Sequence, residues 1–307
     1  MSPQYYRQII LEKIPEDAVI PRHTEDGHFY EVVPADRKVF KSVTTKLQVL
    51  KDESLMGYKM NRALDYVFAN YSKFTDANIM EHLENASKVS GGILQDASDI
   101  GRSVHEIRQN YFADWIKTGQ KPANILSYIP EWQVDIRVKS GLRALEKFIT
   151  EKDYIPVVCE KLVYDIRYEV AGTLDDIGLM RVMKREGKLD CEHEMFVDQK
   201  FIHRCLKCSL KYKYELIMLD LKTSNQFKDH YFFQVSLYYM MFKKLTGLKP
   251  KRCLILKVSK EDGSYKLEEL RNIPKLVRYA VNMLKTNEAL DFIRSIRKDN
   301  MKKVITI

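Results

Sequence analysis

The 307-residue chain has no run of 18 consecutive apolar residues, so no membrane-spanning helix is expected. Its opening, M-S-P-Q-Y-Y-R-Q, lacks the apolar centre of a secretion signal. Cysteine is scarce: five residues, an odd number, argue against a disulfide framework and for a reducing compartment. Internal repeats and low-complexity segments are missing too. What is present is ordinary for a soluble globular protein, 45% apolar and 30% charged, with ample length for one large core or two small ones. The one compositional bias is a formal net charge of +9. That excess favours a polyanionic partner, nucleic acid first, over a basic surface without a partner.

Residues 28–49 contain short β-like pieces, H-F-Y-E-V-V and K-V-F-K-S-V-T-T, around a turn at P-A-D. Helical patterns follow over about 53–70, 76–88, 93–118 and 138–152, with G-G at 91 and K-P at 121 as punctuation. From 155 the pattern turns to strands, over 155–164 and 168–180, with a third ending at Lys222. A helix over about 227–246, a strand over 252–259 and a last amphipathic helix over about 273–296 complete an α/β half. The division expected is a mostly helical region over 1–152 and an α/β core over 153–307.

The stretch L-D-L-K, residues 219–222, puts an acid and a lysine on one face of an apolar strand, because strand side chains alternate. Asp220 and Lys222 are then either an ion pair at a sheet edge or a metal ligand and the cation that works beside it. Two further strands carry acids that packing does not need, Glu160 and Asp175, with Gly172 permitting a close approach nearby. Asp176 is a rival for Asp175, but alternation turns it to the other face. His105 lies beside the helical stripe Val104, Ile107, Tyr111 and Trp115, where a histidine by itself is more often structural than a ligand. Gln234 and Tyr238 share a helix face four residues apart.

In order, G-x-x-x-H (101–105), Glu160, G-T-x-D (172–175), D-x-K (220–222) and Q-x-x-x-Y (234–238) resemble the RecB-like branch of the PD-(D/E)xK nuclease superfamily. The resemblance covers about residues 42–260. It extends to S-V-T-T-K-L at 42–47, similar to the S-V-T-x-x-L opening of the mitochondrial genome maintenance exonuclease and its phage relatives. It implies a restriction-endonuclease-like mixed sheet flanked by helices, with the helical region covering the active site and supplying His105. It also implies a Mg²⁺- or Mn²⁺-dependent exonuclease that hydrolyses DNA from its ends, single strands favoured. His105, Asp175, Asp220 and the Leu221 carbonyl would ligate the metal, Lys222 would act on the attacking water or the phosphate, and Glu160 would support a metal or position Lys222. Gln234, Tyr238 and Ser224 would contact DNA. The proline that precedes the family's first acid is absent before Asp175. Such an enzyme would work in the cytoplasm of a bacterial or phage-infected cell, or in an organelle matrix, beside replication or recombination proteins.

Between the Asp175 and Asp220 strands an insertion over 187–212 carries Cys191-x-His193 and, after eleven intervening residues, Cys205-x-x-Cys208. Four soft ligands in two knuckle-like pairs predict a structural Zn²⁺ site, with His203 as a competing ligand. An iron–sulfur cluster would want a fourth cysteine, and Cys159 and Cys253 sit in apolar strands. Residues 181–214 carry nine Lys and Arg against five Asp and Glu, so the insertion suits DNA, a partner protein or a folding staple alike. Two functions compete with the exonuclease: a structure- or sequence-specific endonuclease of the same superfamily, and a non-catalytic nucleic-acid-binding module.

Overall fold

The computed structural model describes all residues except 1, 25–26, 48–52, 134, 186–194, 198–201, 206, 209, 225 and 306–307. Helix α1 (Pro3–Lys13) leads into strands β1 (Val19–Thr24), β2 (Gly27–Val32) and β3 (Lys38–Ser42). Helices α2 (Val43–Lys46), α3 (Glu53–Asn70), α4 (Ile79–Thr118) and α5 (Ile136–Lys152) follow. Then come β4 (Tyr154–Asp165), β5 (Val170–Arg185), β6 (Met195–Val197), β7 (Ile202–Cys205) and β8 (Lys211–Lys222). Helix α6 (Asp229–Thr246), β9 (Arg252–Val258), β10 (Tyr265–Glu269) and α7 (Ile273–Ile305) complete the chain.

The described strands form one mixed sheet with β5 as its hub. Over its length β5 pairs antiparallel with β4 and with β8, and parallel with β3 at Val170 and Ala171. β8 runs parallel to β9 with α6 as the crossover, β10 folds back on β9, and β7 and β6 extend the sheet beyond β8. The meander β1–β2–β3 enters through the β3–β5 pair, so residues 1–152 contribute three strands to the same sheet.

Both faces of the sheet are covered, which is why β8 reads as a near-continuous apolar run. Leu216 and Met218 pack on the face shared with α1, α6 and α7, while Ile217, Leu219 and Leu221 pack on the face shared with α4 and α5. On α5 the buried residues Val138, Leu142, Leu145 and Ile149 recur at helical spacing, and Asp135 caps the helix by accepting from Arg137 N at 2.8 Å. Helix α1, which the sequence pattern does not signal, is capped by Ser2 and buries Ile10 in the core.

The expected break at Gly91-Gly92 is absent: α4 is one helix of 40 residues. Each glycine costs about 1 kcal/mol against alanine. Helix α3 packs along the first half of α4, and the sheet packs against the second half from Ile100 on. Tertiary contact on both sides of the pair outweighs the local preference. The S-V-T-T-K-L segment is a joint between β3 and α2. Ser42 accepts from Thr45 N at 2.9 Å, and the buried Lys46 donates to the Tyr168 carbonyl at 2.7 Å. No described helix is long and apolar enough to cross a membrane.

Candidate active site

Strand register brings three carboxylates to neighbouring positions on adjacent strands. Cys159 pairs with Asp176 and Lys161 with Leu174, which sets Glu160 opposite Asp175; Asp176 pairs with Leu219, which sets Asp175 opposite Asp220. Directly opposed residues have Cβ atoms about 5 Å apart, so Glu160, Asp175 and Asp220 cross three adjacent strands as neighbours. Glu160 departs from strand geometry with φ of 49°. A left-handed non-glycine residue inside a strand costs about 1–3 kcal/mol, and such strain gathers where a side chain must be re-aimed.

Helix α4 crosses above the row because Gly101 lets it approach the end of β8: a Cβ there would lie 2.8 Å from Thr223 Oγ1. One turn on, His105 Nδ1 sits 3.8 Å from Asp175 Oδ1 and 4.0 Å from Glu160 Oε1. Leu221 N donates to Asp175 Oδ2 at 2.6 Å. His105, Glu160 and Asp175 form a set in which one donor atom from each lies within 4.8 Å of the others. Asp220 falls outside that set; its nearly buried carboxylate lies 2.7 Å from Lys222 Nζ.

Arg108, three residues past His105 and therefore on the same side of α4, is a site residue that the sequence pattern does not mark. It is fully buried, lies 2.7 Å from Asp176 Oδ2 and 3.9 Å from Asp175 Oδ2, and donates to Glu160. Asp176 is wholly buried against Arg108, so it serves the interior while Asp175 serves the site. A G-x-x-x-H-x-x-R reading of residues 101–108 carried the only available signal.

Lys222 is braced from α6. Its Nζ donates to Gln234 Oε1 at 3.4 Å, and Gln234 Nε2 donates to Tyr238 Oη at 3.1 Å. Gln234 and Tyr238 are buried, so they reach Lys222 rather than solvent. Gly172 makes room for this arrangement, since a Cβ there would meet the Tyr238 ring at 2.8 Å. Tyr231, a second residue the sequence did not reveal, places its ring 4.9 Å from Lys222 Nζ and donates to Ser224 Oγ at 3.1 Å. Ser224 thus fixes the ring that faces the lysine.

Four carboxylates (Glu160, Asp175, Asp176 and Asp220) face two permanent cations, Arg108 and Lys222, leaving a formal −2. Burial drives Glu160 up to about 7 and Asp220 to about 6, against the opposing pull of Arg108 and Lys222 respectively. Burial also drives Asp176 to about 8, despite Arg108. For Asp175, burial is outweighed by His105, Arg108, Lys222 and the Leu221 amide, and its pKa is lowered. Burial holds His105 neutral, down to about 4, although 31% of its side chain stays exposed. Asp220 Oδ1 has no partner among the described residues, while Oδ2 meets the Lys222 ammonium. Carboxylates in excess of cations, hard oxygen donors and an unpartnered Asp220 oxygen fit one divalent cation.

Stability should therefore depend on pH in a definite direction. Above pH 6.5, the ordinary histidine value, His105 is neutral in the folded protein and mostly neutral in the unfolded chain. Between there and about pH 8, folded Glu160 and Asp176 still hold protons that the unfolded chain has lost. Stability then falls as pH rises. We expect the melting temperature of metal-free protein to decline from pH 6.5 to 8, and saturating Mn²⁺ to flatten the decline. A flat or rising metal-free curve would contradict the crowding of these carboxylates.

In the insertion, Cys191 and His193 lie outside the described residues. Cys205 is buried at the end of β7, and Cys208 N donates to Cys205 Sγ at 3.2 Å, as a C-x-x-C turn permits. His203 stacks on Tyr212 with ring centroids 4.7 Å apart.

No family model matches the chain, and no curated protein matches it. Among solved structures, that of SSO0001 is 13% identical over 62% of this chain and 74% of its own, with a TM-score of 0.23, too slight a likeness to carry an argument.

Proposed function

We propose that the chain is a metal-dependent DNA nuclease with an active site at Glu160, Asp175, Asp220, Lys222 and His105. The observation that carries this reading is the row of three carboxylates across β4, β5 and β8, closed by His105 and flanked by Lys222. His105, Glu160 and Asp175 would hold Mg²⁺ or Mn²⁺, with Asp220 behind them. The ion, when bound, lowers the pKa of water and neutralises charge on a phosphoryl group. Lys222, aimed by Gln234 and Tyr231, places a fixed positive charge where the phosphodiester gains negative charge in the transition state. Arg108 keeps Glu160 and Asp175 oriented without meeting solvent. The net charge of +9 draws the DNA backbone to the protein.

The test is digestion of end-labelled linear and closed circular DNA, single- and double-stranded, with Mn²⁺, Mg²⁺ or chelator. We expect metal-dependent release of short products from linear single strands, with circles spared. Cutting of circles would move the reading to an endonuclease, and no cutting under any metal would sink it.

We further propose that Cys191, His193, Cys205 and Cys208 hold one structural Zn²⁺. The Cys208 amide directed at Cys205 Sγ supports it, as does thiolate preference for zinc over magnesium. Elemental analysis of protein purified without added metal should give close to one equivalent of zinc. Cys205→Ser should remove it while leaving the sheet folded. Less than about half an equivalent in the unmodified protein would refute the site.

A further inference from the structure

A cavity of about 310 Å³ lies beside the candidate active site, between α1, the second half of α4 and strand β4. Glu160 belongs to its lining and to the acidic cluster at once. Leu11 and Ile116 give the cavity apolar walls, and Arg7 and Lys161 supply two cations. Lys161 is only 7% exposed, yet neither it nor Arg7 has a hydrogen bond or ion pair among the described residues. Glu16 lines the cavity as well and lies within electrostatic range of Lys161 without pairing with it, so the lining carries two acids, Glu16 and Glu160, beside its two cations. A lysine so buried is normally paired, because removing an ammonium from water is costly. The cavity's volume is at the small end of ligand-sized sites, room for one nucleotide-sized group and not for a duplex.

We propose that this cavity binds a phosphate monoester at the end of a DNA strand, with Lys161 and Arg7 on the phosphate and the terminal nucleoside against the apolar wall. The inference rests on the nuclease reading and adds to it. A strand end held against Glu160 puts the next phosphodiester at the acidic row, so hydrolysis is counted from a gripped end. Two cations on one dianionic group give the charge-assisted contacts that separate a phosphorylated end from a hydroxyl end.

The test uses the full chain in Ca²⁺ without turnover, and three single strands identical in sequence: 5′-phosphorylated, 3′-phosphorylated, and hydroxyl at both ends. Fluorescence anisotropy should show one phosphorylated strand binding about 10-fold or more tightly than the hydroxyl strand, the scale of one or two charge-assisted hydrogen bonds. Lys161→Met should bring that ratio towards one. Arg7→Gln, at a half-buried position without partners, should reduce it as well and keeps the test open if the Lys161 variant folds poorly. Adenosine monophosphate should compete with the preferred strand. Equal affinity for all three strands in the unmodified protein overturns the proposal, as does an equal loss for all strands in Lys161→Met. Protection by adenosine monophosphate without discrimination between strand ends makes it a free-nucleotide site and overturns the strand-end assignment. Mn²⁺-dependent cleavage with no end preference defeats this inference alone, whereas absence of both DNA binding and cleavage defeats the nuclease reading beneath it.

Discussion

Lys222→Ala should lower the rate of metal-dependent DNA cleavage by about 10²–10³ while DNA affinity changes little, since removing one preorganised stabiliser of transition-state charge typically costs that much. Lys222 is one cation among 51 Lys and Arg, so the long-range attraction for the phosphate backbone survives its loss. The geometry argues for a role in the chemical step. Its ammonium is held by Asp220 at 2.7 Å, by Gln234 at 3.4 Å and over the Tyr231 ring at 4.9 Å, which leaves it little freedom. Arginine is a poor substitute, because a planar fork cannot occupy that three-sided seat without displacing Gln234. Gln234→Ala should produce a smaller defect in the same parameter, by loosening the lysine rather than removing it. Single-turnover rates at saturating DNA separate the chemical step from binding. A purified Lys222→Ala protein with unchanged single-turnover rate and unchanged melting temperature would remove Lys222 from the mechanism.

The parts of this site that the sequence disclosed are those fixed by strand periodicity. Alternation places Asp220 and Lys222 together and separates Asp175 from Asp176, and the structure uses the second acid of that pair against Arg108 in the interior. Glu160 was recognisable as a charge in an apolar strand, but its left-handed backbone was not, since nothing in Val158-Cys159-Glu160-Lys161 requires it. Arg108 was obscured because helical arginines are common on surfaces, and only tertiary contact shows that this one is wholly buried. Gly91-Gly92 misled in the opposite sense, as packing against α3 and the sheet carries α4 through two poor helix formers. The cavity beside β4 was invisible from the sequence, being assembled from three segments, α1, α4 and β4, that are distant along the chain.

Arg108→Met should be the most destabilising single change at the site, by about 3–5 kcal/mol near pH 8, the range for removing one partner from a buried ionic cluster. Arg108 is 0% exposed and is the sole guanidinium facing Asp176, Asp175 and Glu160 among the described residues. Burial disfavours its charge, yet those three carboxylates outweigh burial and raise its pKa, so it remains a cation at any working pH. Methionine fills a similar volume, which makes the loss electrostatic rather than a cavity effect. The defect should therefore shrink as pH falls from 8 towards 5, where Asp176 and Glu160, with pKa values of about 8 and about 7, take up protons and no longer need the cation. It should shrink also in Mn²⁺, which would neutralise the Glu160 and Asp175 side of the cluster but not Asp176. Asp176→Asn is the informative companion. It removes one of three competing carboxylates and leaves Arg108 paired with Glu160 and Asp175, so its cost should be smaller than that of Arg108→Met. Combining the two changes should recover part of the lost stability, because the double variant no longer buries Asp176 without a partner. Urea denaturation of the four proteins at pH 5 and pH 8 measures all of these terms. An Arg108→Met defect that is equal at both pH values and not relieved by Asp176→Asn would show that Arg108 contributes through packing and not through its charge.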